Sequence, residues 1–592
     1  MKQRRRGLLI AIFLLAALLR FNNLNWDSGF HLHPDERFLT MVANATAIPS
    51  RLTDYFNPSR SRLNPANVGF HFYVYGTLPL TLNKIAAVWF NHDNYNDFTV
   101  QGRWLAGWFD LMVVGLVYRI AAQLVAARRQ RDVSALPYWA AFFYAIAVLP
   151  IQLAHFFTVD PFLNFFMILS FYLLLRWRNQ GRPLWLLSVS AVALGLAFAC
   201  KVNAVFILPL NLALIGLTAS KNSRHRFGPV TLALVRCLVY VLLVYLALRC
   251  ADPYVFRSSA WLDPRPNPEF VANLQQLKSY ESKDVWYPPA IQWINKPPVI
   301  FSLVNLAVFG VGLPYFFLLG TGLLIQIKRQ AVDLIKTLKK RSKPVVARRM
   351  LPASGLIAIW VVGFFLYQST RFVKTMRYFI FLYPFLAIYA AMGVESVTAW
   401  TKRFNGSKSA RRFYFPLLVS AALVWPLMFF SIYLRPNSRV AASDWIYQHL
   451  RDHSLILYEY WDDGLPLPVA NPTGKQFRSE AVAIFDPDTP EKWSKISAQL
   501  GRADYYIMSS NRGWGSIPTV PDKYPVATRF YRDLLAGKLG YQKLAEFNSY
   551  PQLCWSANAC LVWPDDWADE AFTVYDHPRV LIYENEKTSR AR

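Results

Sequence analysis

The stretch His33-Pro34-Asp35-Glu36-Arg37 follows the first apolar segment of the chain, residues 7–19. Two adjacent carboxylates beside a histidine and an arginine are costly to hold at a bilayer surface, and a chain that only spanned the membrane would gain nothing from them. The acids could cap an interfacial helix, but two acids and a histidine exceed what a cap requires. The stretch therefore indicates a functional site next to the first span.

Composition is typical of an integral membrane protein. The chain has 592 residues, of which 54% are hydrophobic and 16% aromatic. A formal net charge of +28 would indicate a nucleic-acid partner in a soluble protein, but here the basic residues concentrate in short loops between apolar spans. We therefore predict no nucleic-acid partner. Because no small-residue cleavage site follows the basic start and its apolar run, we expect an uncleaved first helix.

The hydropathy pattern predicts about eleven membrane-spanning helices. Their expected ranges are 7–19, 104–126, 136–150, 162–175, 184–199, 204–217, 230–248, 299–327, 350–367, 378–394 and 413–434. Some of the loops between them are rich in Lys and Arg, namely 128–131, 176–182, 221–226, 328–349 and 402–412. If the spans alternate, these loops lie on the same side as residues 1–6, so this side is predicted to be cytoplasmic.

The chemically unusual residues then fall on the opposite, extracytoplasmic face. This face receives the first loop (22–102), several shorter loops and the whole tail. We expect residues 74–90 of the first loop to form an interfacial or re-entrant helix. The sequence thus predicts a membrane-embedded catalytic domain (1–434) and an external α/β domain (435–592). In the tail, strands are predicted at 455–458, 505–508 and 580–583, and amphipathic helices at 490–500 and 527–535.

Charged side chains from distant parts of the chain share this external face. The acids and histidines are His33, Asp35, Glu36, His71, His155 and Asp160, and the cations are Arg37, Arg103, Lys201, Arg371, Lys374 and Arg377. Cations at a membrane surface can neutralise a lipid-linked phosphate. A carboxylate can act as the base for an incoming hydroxyl. The pattern favours transfer of a sugar from a polyprenyl phosphate by a single displacement, which inverts the anomeric carbon.

Several of these residues also have a purely structural interpretation. The cations of the loop 368–377 could anchor a helix end in lipid headgroups, and Lys201 could extend to the interface from between two apolar spans. His155 and Asp160 could stabilise their loop as a pair. Asp110, an acid within the second span, could be the buried partner of a basic group. The sequence leaves these alternatives open.

Six segments occur in an order that resembles the GT-C superfamily of membrane glycosyltransferases. They are HPDERF (33–38), NPANVGFHFYVYGTLP (64–79), GRWLAGWFD (102–110), IQLAHFFTVDPFLNFF (151–166), GLAFACKVNA (195–204) and RFVKTMRYFIFLYPFLA (371–387). The chain is similar in particular to the branch with protein O-mannosyltransferases and the lipid A aminoarabinose transferase. The tail segments RVAASDWIYQHL (439–450) and YEYWDDGLPLP (458–468) resemble those of bacterial, often cyanobacterial, members. The resemblance covers nearly the whole chain.

The resemblance implies a polytopic α-helical membrane protein of the GT-C type with a C-terminal extracytoplasmic α/β domain. It implies a monosaccharide donor linked to a polyprenyl phosphate, with transfer outside the cytoplasm. Asp35 would be the catalytic base, supported by Glu36. The residues expected near the donor phosphate are Arg37, Arg103, Lys201, Arg371, Lys374 and Arg377. The expected location is a bacterial plasma (inner) or thylakoid membrane, with the N-terminus in the cytoplasm.

The resemblance leaves the acceptor and the metal open. This sequence departs from the family pattern in His33 before the acid pair and in the Asp-Asp of the tail, so the acceptor hydroxyl could belong to a protein, a lipid or a glycan. His71 is assigned only to acceptor binding or support. Some relatives bind a divalent metal and others need none. The candidate ligands for such an ion are His33, Asp35, His155 and Asp160.

Two other functional classes compete with the transferase. A transporter or lipid flippase is the main alternative, but such proteins place ionisable residues near the bilayer midplane and often contain inverted repeats, which are not evident here. A receptor or scaffold could use Trp461-Asp462-Asp463 and Trp514-Gly515 of the tail as a binding edge. That hypothesis does not explain Asp35-Glu36.

The cysteines fall into two groups. Cys200, Cys237 and Cys250 lie in or beside apolar spans, where the role of a small hydrophobic residue is expected. Cys554 and Cys560 lie close together in the polar tail. If the tail is extracytoplasmic, these two residues are candidates for a disulfide.

Overall fold

The computed structural model describes residues 2–127, 134–219, 228–284, 286–339, 352–404, 408–556 and 559–590. The described chain up to residue 449 consists of helices and the loops that connect them. The helices are Lys2–Phe21, Pro34–Ala45, Leu52–Tyr55, Leu78–Phe90, Tyr95–Ala127, Leu136–Ala145, Val148–Ala154, Asp160–Asn179, Leu184–Phe198, Leu208–Ala219, Pro229–Ala251, Pro268–Ser279, Pro288–Ile291, Ile300–Val304, Leu313–Lys339, Ala353–Ser369, Tyr383–Phe404, Lys408–Phe430 and Ser438–His449. Shorter 3-10 or π turns occur at Pro65–Val68, Val202–Ile207, Pro253–Val255, Asn305–Gly310, Met376–Leu382, Ser431–Leu434 and Ile517–Thr519.

Each predicted apolar span coincides, in its described residues, with a helix or with two or three consecutive helical segments. Residues 350 and 351 of the span 350–367 lie outside the described residues. By length and composition, 4 described helices can cross a membrane, or up to 6 if each bent pair counts as one span. One pair, Leu136–Ala145 and Val148–Ala154, bends by 54°, and the other, Ile300–Gly310 and Leu313–Val332, bends by 120°. The number of eleven spans therefore stays a prediction. The expected interfacial helix is present as Leu78–Phe90, a short apolar helix.

The tail contains a five-stranded sheet and a separate hairpin. The strands are β1 (Leu455–Glu459), β2 (Arg478–Val482), β3 (Tyr505–Met508), β4 (Tyr541–Phe547), β5 (Gln552–Ser556), β6 (Ala559–Val562) and β7 (Val580–Asn585). The sheet has the order β2-β1-β3-β7-β4, in which β1 runs parallel to β2 and β3, and β7 runs antiparallel to β3 and β4. The tail helices are Pro490–Arg502, Arg512–Ser516, Pro525–Leu535, Glu570–Thr573 and Glu586–Arg590. These elements confirm the strands and helices predicted for the tail.

The hairpin β5–β6 is closed by a disulfide between Cys554 and Cys560, the pair that the sequence proposed. The hairpin packs against the end of the helix Lys408–Phe430, where the indoles of Trp425 and Trp563 lie 6.4 Å apart. The tail is thus in contact with the helical part of the chain at this point.

A buried polar network also joins the tail to the helical domain. His577 donates to Asp565 (2.9 Å) and to Asp576 (2.5 Å), and Asp576 accepts from the hydroxyl of Tyr433 (2.8 Å) and the amide of Gln152 (3.0 Å). Burial lowers the pKa of His577, but Asp565 and then Asp576 raise it more, to about 10. His577 is therefore a cation with both ring nitrogens donating. The network fixes the tail against the helices.

Candidate functional site

Asp35 and Glu36 lie in the first turn of the helix Pro34–Ala45, with His33 as its N-cap residue. Proline suits the first helical position, and acids are favoured there by the helix dipole. Consecutive helical residues are rotated by about 100°, so the two carboxylates point in different directions. Asp35 keeps 26% of its side chain exposed, whereas Glu36 is completely buried. The adjacent acids therefore have separate environments.

Asp35 belongs to a cluster of four charged side chains from distant parts of the chain. The guanidinium of Arg377 donates to Asp35 (2.5 Å), and its Nε lies 4.0 Å from Asp160. Lys201 donates to the other oxygen of Asp160 (2.9 Å). Two carboxylates and two cations thus alternate, and their charges balance. We call this set the Asp35 cluster.

The electrostatics of the Asp35 cluster keep Asp35 ionised. Burial raises the pKa of this carboxyl, but Arg377, together with His33 and Lys201, lowers it more, so that it lies well below its usual range. An ionised carboxylate that is partly open to solvent can accept a proton from an incoming group. Asp35 meets both conditions.

A close approach of two loops places a tyrosine beside the Asp35 cluster. A Cβ at Gly76 would lie 2.0 Å from the carbonyl oxygen of Ala199, so only glycine allows this contact. The neighbouring Tyr75 is thereby brought close enough for the charge of Asp35 to raise the pKa of its phenol, which burial already raises. On the opposite element, the ring of Tyr378 lies 5.3 Å from the Lys201 ammonium. Neither tyrosine was predicted from the sequence as a site residue, although Tyr75 lies in the segment 64–79 that resembles the GT-C superfamily.

The tail contacts the segment that carries Arg377 through Asp569. One oxygen of this buried carboxylate accepts from the Thr375 hydroxyl (2.8 Å) and from the backbone N–H of Met376 (2.7 Å). These contacts fix the segment that carries Arg377. Asp569 was not predicted, because a single carboxylate in a polar tail has no spacing that marks it.

Arg103, which the sequence predicts to bind the donor phosphate, is instead paired with buried acids. Its five N–H groups donate to Glu36, Asp27 and the Leu24 carbonyl at 2.8–3.0 Å, and its side chain is completely buried. No N–H remains for a phosphate. Glu36 also accepts from the backbone N–H of Phe157 (2.5 Å) and has no solvent contact. The two residues therefore hold the helix start in place, which corrects their predicted roles as phosphate ligand and catalytic support.

Three other predicted phosphate ligands face other partners. Arg37 donates to Asp463 of the tail (2.8 Å). Lys374 is buried and donates to a backbone carbonyl two residues before it (3.0 Å), and the guanidinium of Arg371 lies over a tyrosine ring at 5.5 Å. Of the predicted cations, Lys201 and Arg377 are the two that form ion pairs within the Asp35 cluster.

Two of the three predicted histidines, His155 and His71, have partners other than Asp35. His155 stacks on Tyr433 with ring centroids 3.7 Å apart, and both of its nitrogens contact backbone carbonyls. His71 pairs with Glu269 (2.8 Å) in an exposed position. His33 is the exception, since it lies next to Asp35 in the chain and packs against two aromatic rings.

The donors proposed for a metal ion are not assembled. In the part of the chain that the structure describes, no three His, Cys, Asp or Glu side chains are grouped to hold one. His155 is turned away by its carbonyl contacts, and Lys201 and Arg377 already neutralise Asp35 and Asp160. The set His33, Asp35, His155 and Asp160 therefore does not fit a metal site.

Comparisons with known proteins agree with this architecture. Residues 51–250 match the profile of the family described as dolichyl-phosphate-mannose-protein mannosyltransferase. No curated protein is significantly similar in sequence to the chain. The archaeal oligosaccharyltransferase AglB from Archaeoglobus fulgidus, solved with an inhibitory peptide and a dolichol-phosphate, aligns with a TM-score of 0.50 at 14% identity, over 96% of this chain and 75% of that one.

Two further solved structures are similar at a lower TM-score. The Archaeoglobus fulgidus oligosaccharyltransferase in complex with Zn and sulfate has a TM-score of 0.49 at 15% identity, over 88% of this chain and 71% of that one. ArnT from Cupriavidus metallidurans bound to undecaprenyl phosphate has a TM-score of 0.43 at 14% identity, over 97% of each chain. The apolar helices and the family match support an integral membrane protein and a glycosyltransferase. Residues 51–250 therefore resemble the dolichyl-phosphate-mannose-protein mannosyltransferase family, and the fold of the chain is similar to that of AglB.

Proposed function

We propose that the protein is an inverting glycosyltransferase that moves a monosaccharide from a polyprenyl phosphate to an acceptor hydroxyl on the extracytoplasmic side of the membrane. The observation that carries the proposal is the Asp35 cluster, in which an ionised carboxylate lies against cations in a partly open site. The family match and the dolichol-phosphate in the AglB structure are consistent with a donor of this class.

The charge balance of the Asp35 cluster provides a mechanism. The donor phosphate competes with the carboxylates for Lys201 and Arg377, and this competition releases Asp35 from its ion pair. Asp35 then takes the proton of the acceptor hydroxyl while the hydroxyl oxygen attacks the anomeric carbon. The bond from that carbon to the phosphate oxygen breaks, and its electron pair leaves with the polyprenyl phosphate. Lys201 and Arg377 stabilise the charge that grows on this leaving group.

The proposed side of the membrane rests on the tail. A disulfide such as Cys554–Cys560 forms and persists in an oxidising compartment, which an extracytoplasmic tail would occupy. Because Asp569 of the tail contacts the segment before Arg377, the Asp35 cluster lies on the same side as the tail. A cytoplasmic N-terminus and a bacterial plasma membrane are part of the same proposal.

Replacing Lys201 tests the donor site. We expect Lys201→Gln to raise the KM for a polyprenyl-phosphate monosaccharide by about 10–100-fold, because one charge-assisted hydrogen bond to the phosphate is lost. The acceptor KM should change little. The measurement is steady-state transfer by the full chain in liposomes, with the exposed Lys278→Gln as the matched control. An unchanged donor KM in Lys201→Gln would remove Lys201 from the phosphate site.

A further inference from the structure

A cavity lies beside the start of the helix Pro34–Ala45, between this helix and the tail. Its volume is about 240 Å³. The charged and aromatic side chains that line it are Arg37, Arg439, Arg512, Asp462, Asp463, Trp461 and Tyr575. None of them has a role in the chemistry proposed for the Asp35 cluster. We call this space the tail cavity.

The charges around the tail cavity balance one another. Arg439 donates to Asp462 (2.6 Å) and to Asp463 (3.1 Å), and Asp463 also accepts from Arg37 (2.8 Å). Arg512 donates to Glu570 behind the wall (2.8 Å). The lining thus has three guanidinium groups and two carboxylates, and the third guanidinium, that of Arg512, is neutralised by Glu570 outside the lining. No unpaired positive charge is left to select a phosphate or another anion. A lining that offers both donors and acceptors suits hydroxyl groups, each of which donates and accepts.

Trp461 is held in this lining at an energetic cost. Its φ of +79° is a backbone conformation that a bulky residue rarely adopts and that costs about 1–3 kcal/mol. The side chain of Arg512 donates to its carbonyl oxygen and keeps it there. Among the described residues, its indole N–H has no hydrogen-bond partner. A flat aromatic ring is suited to the face of a sugar ring, and the paired acids and arginines beside it are suited to the hydroxyls.

The tail cavity is close to the proposed base. Pro34, which lines the cavity, directly precedes Asp35 in the chain. Tyr575 also lines the cavity, and the charge of Asp35 contributes to the raised pKa of its phenol. The volume of the tail cavity is smaller than the range of about 300–1,000 Å³ that is typical of pockets for drug-sized ligands. A group the size of one sugar ring fits this space better than an extended peptide does.

We propose that the tail cavity binds the acceptor, and that this acceptor is a neutral saccharide that presents one hydroxyl to Asp35. The part of the inference in which the saccharide hydroxyl points to Asp35 rests on the proposed function. The binding of a saccharide does not depend on it.

Saturation-transfer NMR with the full chain in nanodiscs tests this binding without any donor. The probes are methyl glucoside, methyl galactoside and methyl mannoside, with a Ser/Thr-containing peptide as the competing class. We expect a signal from at least one glycoside, and a fall of about tenfold in affinity for Trp461→Ala. Trp461→Gly, for which a φ of +79° is unstrained, repeats the test if the alanine variant folds poorly. Leu535→Ala, which removes a 47% exposed apolar side chain from the tail helix Pro525–Leu535, is the control.

Two results would overturn the inference. One is a signal from the peptide and from none of the glycosides, and the other is a glycoside signal that Trp461→Ala and Trp461→Gly leave unchanged. Neither result bears on the donor site, which the KM of Lys201→Gln tests separately. Conversely, if Lys201→Gln transfers sugar as the wild type does, a Trp461-dependent glycoside signal still supports the tail cavity as a saccharide site.

A different observation concerns the hairpin β5–β6. Residues 551–563 contain no Asp, Glu, Lys or Arg, although 17% of the whole chain is charged. The side chains of Trp555, Leu561, Val562 and Trp563 on this hairpin are all exposed. Several exposed apolar side chains on a segment without charged residues indicate a partner.

The position of the hairpin identifies the partner as lipid. The indole of Trp563 contacts Trp425 of the apolar helix Lys408–Phe430, and the backbone N–H of Gln552 donates to Ser431, just beyond the end of that helix (3.0 Å). The hairpin therefore lies at the level where the helix leaves the bilayer. Tryptophan is enriched at this level in membrane proteins. We infer that the hairpin inserts into the headgroup region of the same membrane and anchors the tail there.

Photo-crosslinking tests the lipid contact. With p-benzoylphenylalanine in place of Trp555 or Leu561 in the full chain in phosphatidylglycerol–phosphatidylethanolamine nanodiscs, we expect lipid adducts by mass spectrometry. Val526 is an exposed apolar residue on the helix Pro525–Leu535. The same group in place of Val526 should give at least about tenfold fewer lipid adducts. Equal yields at the three positions, or adducts between two copies of the chain in place of lipid adducts, would contradict the inference.

Discussion

Asp35→Asn should lower the rate of sugar transfer by about 10²–10⁴-fold, the range that a positioned general base contributes. The asparagine keeps the size of the side chain but cannot take the proton of the acceptor hydroxyl. The fold should survive, because Arg377 still has Asp160 at 4.0 Å and the position is partly open to solvent. The measurement is transfer by reconstituted protein, with thermal unfolding as the check on folding.

The control for this prediction is Asp522→Asn, which changes an exposed carboxylate of the tail. It should transfer sugar at the wild-type rate. The acid side of the wild-type pH profile gives a second readout. Because the pKa of Asp35 lies below its ordinary value of 3.8, the base stays ionised on acidification, and its protonation should cause no loss of activity above about pH 4. Full transfer by Asp35→Asn would show that the base is a different group.

The sidedness of the chain, rather than any single motif, made much of the site predictable. Asp35, Asp160, Lys201 and Arg377 come from four segments that the distribution of Lys and Arg in the loops assigns to one face, and the structure brings these four together. Their roles in transfer remain proposals. What sidedness cannot resolve is the direction in which each side chain points.

Arg103 shows where prediction from sequence fails. By topology it lies on the same side of the membrane as Arg377. Its position on the helix, however, directs its side chain inward, where it pairs with Glu36 and Asp27. A cation that neutralises a ligand and one that neutralises buried acids look the same in a sequence. Asp569 and Tyr75 were missed for a related reason. Each acts through a contact between segments far apart in the chain, and such contacts have no local pattern.

The order of the tail strands shows the same limit. The run at 505–508 is apolar and reads as a buried strand, and it is β3 in the structure. Its parallel pairing with β1 and its antiparallel pairing with β7 depend on connections that hydropathy does not describe. Local pattern therefore predicted the elements, whereas their pairing came from the packing of the whole tail.

Arg103→Met should lower the free energy of unfolding by about 3–5 kcal/mol, the cost of removing one partner from a buried ion pair. Glu36 and Asp27 are almost completely buried and would be left without their cation. Arg502 is 59% exposed and forms an ion pair with Glu480. Arg502→Met, which breaks this exposed pair, should change the free energy of unfolding by about 1 kcal/mol or less. The measurement is thermal or denaturant unfolding of the full chain in detergent.

A triple variant separates loss of charge balance from loss of packing. Glu36→Gln and Asp27→Asn, added to Arg103→Met, remove the unpaired charges and should recover a large part of the lost stability, because buried ions replaced as a set cost far less than one left alone. Arg377→Met should show the opposite pattern, with nearly normal unfolding and greatly reduced transfer, since its partner Asp35 is 26% exposed and can be solvated. If Arg103→Met unfolds as the wild type does and instead weakens donor binding, Arg103 contacts the phosphate after all, and the correction made from its five N–H contacts is wrong.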